Sequence, residues 1–162
     1  MKRTTLYAAI AALATSFAAA GHAQTMIKVI DVETDLTAIQ NEKAAAYWGK
    51  LSDDLKSAIA TRITDQLGEE GSEIHIDINE LSLANSFQNA LGIEDAVLVG
   101  DVAITNATDN TKFDGYELTV TAKTASAFAP DGVVLDGAFT DSPEYYTALV
   151  SAFADGVVKR LK

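Results

Sequence analysis

Polar and apolar residues alternate with period two from Ser72 to Asn85. Ile74, Ile76 and Ile78 share one parity, and Glu73, His75, Asp77 and Asn79 share the other. That pattern predicts a strand with one dry face. Leu81 and Leu83 continue on the opposite parity, so a bulge or bend is expected near Asn79-Glu80. Ala96 to Thr105 reads as a more fully buried strand, with Leu98, Val102 and Ile104 on one side and Val97 and Val99 on the other. Gly115 to Thr124 alternates again, Tyr116, Leu118, Val120 and Ala122 against Glu117, Thr119, Thr121 and Lys123. The polar connection Asn106 to Asp114 joins these last two segments as an antiparallel hairpin. Ile27 to Val32 is short and β-branched, and predicts a further strand.

Two segments carry the helical period instead. Trp48, Leu51, Leu55, Ile59, Ile63 and Leu67 recur at spacings of three and four, one apolar face of an α-helix. Gly49 interrupts the run, and Ser52-Asp53-Asp54 has the character of a helix start. Either one kinked helix runs from about Gln40, or a shorter one begins at Asp53; both are expected to stop at Gly68. Asp141-Ser142-Pro143-Glu144 opens a second helix, capped by Asp141 and carrying Pro143 in its first turn. Tyr146, Leu149, Val150, Phe153, Val157 and Leu161 form its apolar face, and Gly156 on it points to a close helix–sheet approach. Ala125 to Asp141 between them reads as loop. The element order β-α-β-β-β-α predicts an α+β domain: an antiparallel sheet of about four strands with two helices packed on one face.

The chain begins Met1-Lys2-Arg3, followed by an uncharged, alanine-rich stretch from Leu6 to Ala20 and by Gly21-His22-Ala23. Small residues three and one positions before a cut are the pattern of a signal-peptidase site, so residues 1–23 are expected to be a leader, with a cut after Ala20 as the second choice. About fifteen apolar residues are too few to span a bilayer, which needs roughly twenty; the alternative is an uncut N-terminal anchor. Removing 23 of 162 residues leaves 139, residues 24–162, read as a single domain that is periplasmic or secreted and holds no stable membrane anchor after cleavage. There is no cysteine, hence no disulfide and no acylated-Cys anchor. Lys2 and Arg3 leave with the leader, so 10 basic residues remain against 23 acidic ones, a net charge of −13. Such a field repels nucleic acid. The acids occur in short pairs among apolar residues, as on a solvated surface; a cationic partner or a calcium site is the functional alternative.

Little in this composition supports catalysis. Nucleophilic hydrolysis needs a base beside the nucleophile, and only His22 and His75 exist. His75 has Glu73 and Asp77 two residues away on the same polar strand face. A zinc site needs three or four protein ligands, and no second His or Cys accompanies His75. Asp109 to Gly115 lacks the acids at alternate positions that a calcium loop requires, and reads as a hairpin turn. There is no phosphate-cradling glycine loop before a helix, and no cofactor is expected.

Recognition is the remaining class. The connections Asn85 to Asp95 and Phe128 to Phe139 are unusually apolar. They either fold back to cap the core or line a groove. In the second case Phe87, Leu91, Phe128 and Leu135 converge on one opening, as candidate binding residues for a protein partner or an apolar small molecule.

Four features carry a family likeness: Leu55, Ile59, Ile63 and Leu67 before Gly68; the Ile-x-Ile-x-Ile strand that follows; Val99-Gly100-Asp101-Val102 leading into a hairpin; and the closing helix Tyr146 to Leu161. On these the layout resembles the small periplasmic and outer-membrane auxiliary proteins of Gram-negative bacteria, including the auxiliary lipoproteins of lipid-transport ABC systems. The resemblance implies a non-enzymatic accessory or binding module of the envelope acting through a protein partner, with a small lipid or apolar-ligand carrier as the alternative and a hydrolase as a distant third. The lipid-anchoring Cys of those lipoproteins is missing here.

Overall fold

A computed structural model describes residues 25–40, 42–79, 98–133 and 142–161. The expected leader lies outside the described residues. Strands β1 (Ile27–Glu33), β2 (Ser72–Ile78), β3 (Leu98–Thr105) and β4 (Asp114–Val120) form one open sheet in the order β1-β2-β3-β4. Helices α1 (Glu42–Tyr47) and α2 (Leu51–Arg62) connect β1 to β2, α3 (Ala122–Ser126) follows β4, and α4 (Pro143–Val158) closes the chain. This is the expected α+β class with four strands.

The sheet is mixed rather than wholly antiparallel. β2 pairs antiparallel with β3, and β3 with β4, but β1 runs parallel to β2. The helical connection explains the difference: a chain that crosses one face of the sheet returns to the end it left, and parallel neighbours need such a crossover. Ile30 is thereby registered against Ile74, Ile76 against Val102, and Val102 against Tyr116.

One sheet face is dry. Ile74, Ile76 and Ile78 are at most 1% exposed, and Leu98, Val102, Ile104 and Val120 join them in the core. α2 packs on β1 and on α4, and α4 packs on β3 and β4. The stripe Trp48, Leu51, Leu55, Ile59 and Ile63 is buried as its spacing requires, whereas Leu67 is 42% exposed because α2 has already ended at Arg62. On α4 the buried set is Tyr145, Ala148, Leu149, Val150, Ala152, Phe153, Ala154 and Val157. Tyr146 is only half-buried and donates its hydroxyl to Asp54 Oδ2 at 2.7 Å, tying α4 to the first turn of α2.

Two glycines allow the close layer contact. A Cβ on Gly156 would lie 3.0 Å from Leu118 Cδ2, so α4 approaches β4 as its position in the helix suggested. A Cβ on Gly100 would lie 3.1 Å from both Asp77 O and Phe153 Cζ.

Several boundaries differ from expectation, each for a local reason. α2 begins at Leu51 after Lys50, with no side-chain cap. Ser52 hydrogen-bonds Thr34 Oγ1 at 3.1 Å instead, and Asp54 is taken by Tyr146. Between α2 and β2 the positive-φ glycine is Gly71, φ 140°, not Gly68. A Cβ at Gly71 would fall 2.2 Å from Met26 O, so the close approach of the start of β1 demands glycine there. β4 stops at Val120 because Thr121 caps α3, accepting from Thr124 N at 3.2 Å. α4 is capped by Ser142, which accepts from Tyr145 N, rather than by Asp141. The bend expected at Asn79-Glu80 lies at the edge of the described residues.

Candidate functional site

Of the four candidate binding residues read from the sequence, only Phe128 is described. It is partly buried against the core, and its N–H donates to Ala125 O at 2.8 Å in the turn after α3. Phe87, Leu91 and Leu135 lie outside the described residues, and with them the opening they were expected to form.

The described residues instead concentrate their chemistry on the face of the sheet opposite the helices. Strand alternation that sends isoleucines inward must send their neighbours outward. Register then decides which outward residues meet. Glu33 on β1 is paired with Asp77 on β2, Asp77 with Asp101 on β3, and Asp101 with Glu117 on β4. Four carboxylates therefore form one row across all four strands, with opposed Cβ atoms about 5 Å apart. The next row reads Asp31, His75, Ala103, Gly115. Ala103 and Gly115 are too small to fill it, and a depression of about 510 Å³ opens over both rows.

His75 sits at the β1–β2 side of this depression. Its Nε2 is 3.1 Å from Glu73 Oε2 and its Nδ1 is 3.7 Å from Asp31 Oδ2. The expected i±2 neighbour Glu73 is thus a partner; the other contact crosses to β1. Lys28 Nζ reaches Glu73 Oε1 at 2.8 Å. The hydrogen bond from Lys28 and then that from His75 hold the Glu73 carboxyl below the usual carboxylate range.

The carboxylate row is linear along the hydrogen-bonding direction of the sheet and does not converge on a point. Accordingly, among the described residues no group of three or more His, Asp or Glu side chains is arranged to hold a metal ion. Asp109, at the β3–β4 turn, accepts from Thr111 N and starts a short 3-10 turn at Asn110–Lys112, a hairpin connection as read from the sequence. No described helix is long and apolar enough to cross a membrane.

The outward parity of Glu73, His75, Asp77 and Glu117 was legible in the alternation. Asp101 was not recognised, because it lies inside an apolar run, and the row itself depends on strand register. Comparison with protein-family models, curated proteins and solved structures finds no match to this chain.

Proposed function

We propose that the domain is a non-enzymatic, exported binding module of the bacterial envelope, and that its partner is a protein which lays a cationic segment across the open sheet face. The observation that carries this reading is the Glu33, Asp77, Asp101, Glu117 row. Like charges directly opposite one another weaken strand pairing. A fold that places four in register gains from a partner that neutralises them. The depression over Ala103 and Gly115 gives such a segment a concave seat, and the surrounding negative field speeds its encounter. Phe128, packed against the core, supports the capping reading of its connection rather than an apolar-ligand groove.

Titration of the exported protein with a lysine-rich decapeptide tests this. Binding should weaken steeply with added NaCl and fall at least tenfold in an Asp77→Asn/Asp101→Asn double variant that melts no lower than the wild type. Equal affinity of the variant, or equal binding of a glutamate-rich control peptide, would overturn the assignment.

A further inference from the structure

We infer that His75 is a proton-operated control of the acidic face, so that a cationic segment and a proton compete for it; this rests on the open face being the binding surface. His75 stands between two acceptors, Glu73 on its own strand and Asp31 on β1, one at each ring nitrogen. A neutral imidazole offers one N–H and one lone pair, and a carboxylate only accepts. The hydrogen bond to Glu73 at 3.1 Å needs the N–H on Nε2, which in the neutral ring leaves the Nδ1 lone pair facing the Asp31 carboxylate. The imidazolium keeps that bond and sets a positive charge 3.7 Å from Asp31 Oδ2. The surroundings are complementary to the charged form.

Among the described residues, the charged groups that face it are few. From β1 they are Lys28, Asp31 and Glu33; from β2, Glu73 and Asp77; from β3, Asp101; from β4, Glu117. Directly opposite on β3 is Ala103, followed by Gly115 on β4, and the helices pack on the other side of the sheet. Lys28 is engaged with Glu73. Among the described residues that line the depression, His75 is thus the group through which it can acquire a positive charge, one row from the carboxylates that would hold a partner's cations. Imidazole changes charge within the range pH 5 to 8, while Glu73, held low by Lys28 and His75, stays ionised throughout. Protonation places a resident cation in the seat and lowers the attraction for an incoming one. By linkage, binding a cationic segment expels that proton.

The effect is that of one exposed charge pair, about two- to fivefold in affinity. A lysine-rich decapeptide is titrated by calorimetry into the exported protein and into His75→Gln at pH 8.0 and 5.5, at constant ionic strength, in buffers of different ionisation enthalpy. The wild type should bind two- to fivefold more weakly at pH 5.5 and release a fraction of a proton on binding between these pH values. His75→Gln should show neither effect. The same pH slope in both proteins would overturn the control by His75 and leave the binding face standing. No binding of the peptide to either protein at either pH would overturn the face and the control together.

Discussion

Asp101→Asn should stabilise the domain. Asp101 is one of the two inner members of the carboxylate row, with Asp77 opposite it on one side and Glu117 on the other. All three side chains are exposed, so the repulsion acts through water. Two unit charges about 5 Å apart in bulk water repel by about 0.8 kcal/mol, and a Debye length of about 10 Å at 0.1 M salt reduces this to about 0.5 kcal/mol. Two such pairs give about 1 kcal/mol, within the range for cross-strand pairs. Asn is nearly isosteric and no better a strand former than Asp, so little else changes. For a domain of this length the gain raises Tm by roughly 3 °C. At 1 M NaCl the Debye length falls to about 3 Å, and most of the gain should vanish. Urea denaturation of both proteins at 0.1 M and 1 M NaCl measures the difference. No gain at low salt, or a gain that salt leaves unchanged, would refute the reasoning. A substitution that stabilises the fold while weakening a cationic ligand is what a functional charge row requires.

Other consequences concern the core and the tyrosines. Ile76 and Leu149 are 1% and 0% exposed, and truncation of either to Ala should cost about 2–5 kcal/mol in denaturant unfolding. Gly100→Ala should cost about 1–3 kcal/mol, because the new methyl meets a strand carbonyl and the Phe153 ring, neither of which can yield freely. Burial pushes the Tyr116 hydroxyl up to about 12 against the pull of Arg160, whose guanidinium lies 4.5 Å from its ring centroid. Tyr145 and Tyr146 are raised as well, chiefly by burial, Tyr146 also by its bond to Asp54. For a group raised in the folded state, stability is complete below the unfolded pKa near 10 and is lost as pH rises through it toward the folded value. Unfolding free energy should therefore be flat to about pH 9.5 and decline between about pH 10 and 12, with Tyr116, Tyr145 and Tyr146 ionising later than free tyrosine in a spectrophotometric titration of the folded protein.

The parts of the fold that depend on local period were legible in the sequence. Ile74, Ile76 and Ile78, the Trp48 to Ile63 stripe and the hairpin around Asn110 all reflect residues within a few positions of each other. The rest depends on what distant segments bring. The parallel pairing of β1 with β2 was missed because alternation within a strand says nothing about its neighbour's direction. Gly68 and Gly71 look alike in sequence, and only the approach of Met26 O selects Gly71 as the one that must be glycine. Thr121 to Lys123 continue a strand alternation until the Thr121 hydroxyl takes the Thr124 N–H and turns the backbone into α3. The carboxylate row was hidden for the same reason: Glu33, Asp77, Asp101 and Glu117 belong to four strands and meet only through register. The apolar connections that sequence reasoning favoured lie largely outside the described residues, Phe128 apart.

Amide chemical-shift mapping of the domain with a lysine-rich decapeptide tests the central claim most directly. Saturating peptide should shift the amides of Glu33, Asp77, Asp101, Glu117 and their neighbours around Ala103 and Gly115, and leave the turn at Phe128 unmoved. Shifts confined to the Phe128 turn or to the helices, with the sheet resonances unchanged, would contradict it.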